Sequence, residues 1–113
     1  MSRVDSLRGK IMKLASKGKL DALIKMSGDA DDEVRAEVAT AMGQIKSYES
    51  GMALIPLLRD SSPLVRASAA TAAANISAKH CEEYVKKLAF ADSDPSVRQT
   101  AKAAFDKLKD RVV

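Results

Sequence analysis

Two neighbours, His80 and Cys81, are the residues whose types could most readily do chemistry. A thiol beside an imidazole suggests a nucleophile with its base, or the start of a metal site. Neither reading holds at this spacing. Side chains of neighbours on a helix point about 100° apart, which is poor geometry for a nucleophile–base pair. A closed zinc site takes four ligands, and His80 and Cys81 are the chain's single histidine and single cysteine. They read instead as a helix start with a partly buried thiol. The acidic run Asp29–Asp32 (Asp-Ala-Asp-Asp) suggests calcium, but no glutamate follows at loop spacing; turn and cap chemistry explains it. The five glycines, Gly9, Gly18, Gly28, Gly43 and Gly51, match no phosphate-binding loop. Gly43 falls on a predicted helix, where it would permit close approach. The expectation is a protein with no catalytic residue, metal site or cofactor, and not an enzyme.

Binding chemistry is better represented. Lys10, Lys13 and Lys17 fall at i, i+3 and i+7 on one face of an N-terminal amphipathic segment, with Arg3 and Lys19 nearby. Such a face can sit on nucleic acid, an anionic surface or an acidic protein, or simply be solvated. No aromatic residues are interleaved, which weakens stacking on single strands. The net charge of +4 is uneven: residues 1–26 carry +5, residues 27–78 carry −3 and residues 79–113 carry +2.

The elements that must position these residues follow from composition and periodicity. The 113 residues suit one domain; 46% are hydrophobic and 30% charged, which fits a folded chain. Aromatics are limited to Tyr48, Tyr84, Phe90 and Phe105, so alanine and leucine must fill the core, favouring packed helices over sheets. One cysteine allows no intrachain disulfide. No apolar run approaches the ~20 residues of a membrane span. The N-terminus has no secretory h-region, so a cytoplasmic location is the expectation.

A seven-residue phrase then recurs. It reads Asp-Ala-Asp-Asp-Glu-Val-Arg at Asp29–Arg35, Asp-Ser-Ser-Pro-Leu-Val-Arg at Asp60–Arg66 and Asp-Ser-Asp-Pro-Ser-Val-Arg at Asp92–Arg98. After each copy an apolar stripe runs at i, i+4, i+7, i+8, i+11. The stripes are Val34, Val38, Ala41, Met42, Ile45; Val65, Ala69, Ala72, Ala73, Ile76; and Val97, Ala101, Ala104, Phe105, Leu108. That period is helical. Asp31, Ser62 and Asp94 stand at N-cap positions, and Pro63 and Pro95 at the first helical position. A shorter apolar helix precedes each phrase, over Leu20–Ser27, Met52–Arg59 and roughly Cys81–Ala91. Leu23 matches Leu54 and Met26 matches Leu57, whereas the third copy is expected to drift in phase onto Tyr84, Val85, Leu88 and Phe90. Pro56 should kink its helix or mark its first turn. The first 16 residues read as a further helix with Val4, Leu7, Ile11 and Leu14 on one face. Leu7-Arg8 echoes the Val-Arg of the phrase, as in a half-repeat. Gln99, Lys102, Asp106 and Lys109 give the last helix a polar face, as a self-contained repeat stack requires.

The turn Asp, with Val-Arg five residues later opening an alanine-rich second helix, resembles the HEAT repeat, nearest the short repeats of the phycobilisome lyase type. The resemblance covers residues 20–108. It implies an all-α, right-handed α-α superhelix, an armadillo-like solenoid, of about seven helices. Its single domain (1–113) would comprise a capping helix (1–16) and three hairpins (19–46, 49–78 and 79–111). It also implies a structural ladder of Asp29, Asp60 and Asp92 with Arg35, Arg66 and Arg98. Arginine's planar fork suits partly covered carboxylates. The rival reading, a row of arginines on phosphates, would need them to point outward. Iron binding through His-Glu pairs, known among HEAT-like proteins, is not implied, because the chain has no His-Glu.

The resemblance further implies that the second helices line a concave surface holding a partner protein. Opposite the apolar stripes lie Glu37, Thr40 and Gln44; Ser68, Thr71 and Asn75; and Thr100, Ala103 and Lys107. The expected function is a non-enzymatic protein-interaction or scaffold module, acting as a monomer. The alternative is nucleic-acid or anionic-surface binding through the basic ends. A subunit of a lyase-type enzyme ranks third.

Overall fold

The computed structural model describes residues 1–110; position 111, the expected end of the third hairpin, lies outside them. Seven α-helices follow in order: α1 (Arg3–Ser16), α2 (Leu20–Met26), α3 (Asp32–Met42), α4 (Tyr48–Leu58), α5 (Pro63–Asn75), α6 (Glu82–Ala91) and α7 (Pro95–Lys109). A 3-10 turn over Lys79–Cys81 leads into α6. Among the described residues there is no strand. The pairs α2/α3, α4/α5 and α6/α7 are helical hairpins, stacked side by side in a slab of 35 × 30 × 17 Å.

Two rows of helices result, and they pack differently. The second helices of successive hairpins lie directly on one another, with α3 between α1 and α5, and α5 between α3 and α7. Among the first helices, α4 and α6 meet over a short stretch, and α2 has no comparable contact with α4. Side-chain size explains the contrast. The second helices bury Ala36, Ala39, Ala69, Ala70, Ala73, Ala101 and Ala104, so their axes come close. Gly43 shows how close: a Cβ there would lie 2.9 Å from both Cα and Cβ of Ala72, tighter than packed side chains tolerate.

Most of the three stripes is buried, with Val34, Val65 and Val97 as equivalent anchors. The first helices keep the same register throughout: Leu23, Leu54 and Val85 are equivalent and buried, as are Leu57 and Leu88. The expected drift of the third copy does not occur. Tyr84 and Phe90 are 39% and 65% exposed, and Cys81 and Ala89 fill the core instead. The extra residue of that repeat is taken up as α6 runs into its turn.

Caps account for the other boundaries. Helix α3 stops at Met42, with Gly43 as its C-cap, so Ile45 lies beyond the helix and is only partly buried. Helix α4 begins four residues earlier than Met52, because the Ser47 hydroxyl accepts the Ser50 N–H. Buried Ser50 then donates to the Met42 carbonyl at 2.8 Å, satisfying the end of α3. Pro56 lies well inside α4, not in its first turn; the helix ends two residues later, where few backbone bonds remain to be lost. Asp31 and Asp94 accept N–H groups of the first turns of α3 and α7. Ser62 stands at the N-cap of α5 without capping it. Its hydroxyl donates instead to Asp32 of the preceding hairpin at 2.7 Å.

Candidate functional site

The Asp and Arg of the repeated phrase meet between hairpins. Arg35 presents Nε and Nη2 to the two carboxylate oxygens of Asp60, each at 3.0 Å. Its Nη1 donates to the Asp29 carbonyl of its own turn at 2.9 Å. Arg66 repeats the pattern one hairpin on, with Nε and Nη2 at 2.8 and 3.0 Å from Asp92 and Nη1 on the Asp60 carbonyl. Each carboxylate also accepts the N–H two residues on, from Ser62 to Asp60 and from Asp94 to Asp92, both at 2.9 Å. One carboxylate thus ties its own turn together and receives the fork of the previous repeat. Charge-assisted bidentate pairs of this kind are strong and geometrically specific.

The ends of the ladder depart from the expected set. Asp29 has no preceding repeat, and its partner is Arg3 of α1, through Nε at 3.1 Å and Nη2 at 2.6 Å. Arg3 therefore belongs to the ladder rather than to a free basic patch. In α1 the arginine that reaches the ladder is Arg3, whereas Arg8 of the Leu7-Arg8 echo bonds other carboxylates. Arg8 is held between Asp5 and Glu37, at 2.7 and 2.6 Å. At the other end, Arg98 donates Nη1 to the Asp92 carbonyl at 2.6 Å but meets no carboxylate among the described residues.

Electrostatics follow the geometry. The Arg3 hydrogen bonds hold the Asp29 carboxyl down at about 2. Burial opposes ionisation of Asp60, but Arg35 and the Ser62 N–H outweigh it and its pKa still falls. Arg66 lowers Asp92 in the same way. Burial pushes the Cys81 thiol up to about 11, and Cys81 donates to the Gly51 carbonyl. His80 stacks on Tyr48 with ring centroids 4.4 Å apart. A Cβ on Gly51 would collide with the His80 ring, so Gly51 makes room for it. The His80–Cys81 pair therefore packs the joint between α4 and α6. Cys81 is fully buried rather than partly so, and a buried protonated thiol is a poor nucleophile.

The expected partner-binding residues divide over the second-helix row. Thr71, Asn75, Thr100, Ala103 and Lys107 line a shallow groove of about 380 Å³ between α5 and α7, with Lys107 donating to Asn75 at 3.3 Å. Glu37, Thr40 and Ser68 lie in a smaller depression of about 190 Å³, floored by Val4 and Ala36 and bordered by Leu64. Glu37 is engaged by Arg8, which restricts what else it can bind. Gln44 is exposed but lies in the turn after α3, because the Gly43 cap ends the helix first. Lys10, Lys13, Lys17 and Lys19 are exposed and, among the described residues, have no ion-pair partner.

A further groove of about 540 Å³ lies on the opposite row, between α4 and α6, with Tyr84 and Leu88 beside Arg59, Lys87 and the Arg66–Asp92 rung. The stripe rule assigned Tyr84 to the core, so this groove went unanticipated. The available signal was the 31-residue register, which equates Val85, not Tyr84, with Leu54. No described helix is long and apolar enough to cross a membrane.

A family model described as HEAT repeats matches residues 51–113, from within α4 through the last hairpin. A search of curated proteins finds no match. HEAT repeats generally mediate protein–protein interaction or scaffolding and are typically non-enzymatic. With more than half its length matched, and with its hairpins in register, the chain belongs to the HEAT-repeat family.

Proposed function

We propose that this chain is a protein-interaction module that receives a partner protein on the surface lined by its second helices. The observation that carries the reading is the groove between α5 and α7, where exposed Thr71 and Asn75 face Thr100 and Lys107 over an alanine floor. Its side chains are free of the ladder, so it can be read by a partner without disturbing the stack. The groove is shallow and holds no Trp, Tyr or Arg, the side chains that usually dominate binding energy, so the contact is modest in affinity. The test is a pull-down against a bait found by affinity purification and mass spectrometry. The variant Thr71→Glu/Asn75→Arg should lose the bait while keeping its helical content and thermal midpoint; retention of the bait removes the second-helix surface from consideration.

A second reading rests on the lysines of α1 and of the turn that follows it, which are unpaired among the described residues. Lys10, Lys13, Lys17 and Lys19 offer cations to nucleic acid or an anionic surface, but Arg3 and Arg8 are both occupied by carboxylates. A mobility-shift titration with mixed DNA and RNA at low salt separates the readings, because phosphate contacts are strongest there. No shift at low salt ends this alternative.

A further inference from the structure

Among the described residues, the α6/α7 hairpin carries a rung without a carboxylate beside a partly exposed aromatic pair. In α3 and α5, the stripe bearing the ladder arginine faces the next repeat and is apolar. It runs Arg35, Ala39, Met42 in one and Arg66, Ala70, Ala73 in the other, with all four apolar residues fully buried. The equivalent stripe of α7 is Arg98, Lys102, Phe105, Lys109, which no later hairpin among the described residues covers. Phe105 is only partly covered and meets Phe90 edge-on, centroids 6.1 Å apart, with Phe90 65% exposed. Lys86 and Lys109 stand 6.0 and 5.7 Å from the Phe105 ring centre. Nη1 of Arg98 is fixed on the Asp92 carbonyl as its counterparts are fixed in the filled rungs. The fork is therefore held in the pose that receives an aspartate, with Nε and Nη2 unmatched among the described residues.

We propose that this edge docks an acidic amphipathic helix of a partner protein, whose leading aspartate occupies the Arg98 fork and whose apolar face covers Phe90 and Phe105. The chain itself displays the ligand chemistry. Asp60 and Asp92 each accept an arginine fork while accepting the N–H two residues on, at the turn that opens a helix. The partner is thus recognised by an aspartate in such a turn. Charge complementarity supplies the rest: Lys86 and Lys109 stand over the Phe105 ring, and Lys102 and Arg98 lie on the same helical stripe, so glutamates flanking the partner's apolar face find cations. A second copy docking edge to edge would oppose these cations to themselves, which disfavours a dimer here.

The experiment titrates the full chain, labelled with ¹⁵N, with a synthetic amphipathic helix opening Asp-Ser-Asp-Pro and carrying glutamates beside a leucine face. The Arg98 Nε–Hε signal should move on titration while those of Arg35 and Arg66 stay, and Phe90→Ser should weaken binding without lowering the thermal midpoint. Changing the peptide's first aspartate to asparagine leaves the protein untouched and should weaken binding at least about tenfold. Equal affinity of the asparagine peptide, shifts confined to Thr71 and Thr100, or no binding would overturn the proposal. So would a concentration-dependent dimer that Phe90→Ser abolishes, since a second copy would then occupy the edge.

Discussion

The two edges of this stack end the same ladder in different ways. At the N-terminal edge, α1 lays Val4, Ile11 and Ala15 on the first hairpin and fills the Asp29 rung with Arg3. At the C-terminal edge, Arg98 is held ready and meets no carboxylate among the described residues, and Phe90 stays largely in solvent. The contrast separates two roles that the repeated phrase alone merges. Where a neighbouring hairpin is described, the Arg–Asp pair joins the two; at Arg98, where none is among the described residues, the same fork meets no carboxylate and stands beside a partly exposed aromatic pair.

Removing the same residue from a filled and an open rung should have unequal effects. Arg66→Ala leaves the mostly covered Asp92 carboxylate without its fork, and urea unfolding should show a loss of about 3 kcal/mol. Arg98→Ala strands no carboxylate among the described residues and should cost less than about 1 kcal/mol. Equal losses would mean the two ends are not energetically distinct.

Acid should act on the filled rungs. Asp29, Asp60 and Asp92 have carboxyls held below their ordinary range, so the unfolded chain binds more protons than the folded one as pH falls. Their contribution is complete above about pH 4–5 and is lost as pH drops through the folded values, near 2 for Asp29. Thermal midpoints across that window should fall in the native chain and fall less steeply in Asp92→Asn, which begins from a lower midpoint. A parallel slope in the variant would show that this rung does not govern acid sensitivity.

Packing offers a similar contrast at matched register. Gly43→Ala puts a methyl against Ala72 and should destabilise by about 1–3 kcal/mol. Asp106→Ala, one residue after Phe105 as Gly43 is one after Met42, faces solvent and should stay within about 0.5 kcal/mol. The smallest expected change is a gain. Ser77 holds φ at +54° in the turn after α5, and Ser77→Gly should raise stability by up to about 1 kcal/mol, read as a higher thermal midpoint.

What the sequence makes legible is the local physics. Val34, Val65 and Val97 stand out because a helical period and a repeated phrase coincide there, and Asp31 and Asp94 because capping is a short-range bond. What it hides depends on a neighbour distant in the chain. Ser62 looks like a cap, yet its hydroxyl turns to Asp32 thirty residues away. Arg3 reads as surface charge until Asp29 is seen beside it. Phe90 and Tyr84 are apolar enough to suggest a core, but the Leu23–Leu54–Val85 register places them on the outer side. The second-helix groove follows in outline from the stripe rule, except that Gln44 leaves the helix because Gly43 closes it first.

If the filled Asp–Arg rungs hold neighbouring hairpins together, Arg66 and Asp92 must be energetically coupled. A double-mutant cycle with Arg66→Ala, Asp92→Ala and the pair, each unfolded in urea, measures that coupling. The expected coupling is about 2 kcal/mol or more; a value within about 0.5 kcal/mol of zero would show that the rung does not join the hairpins.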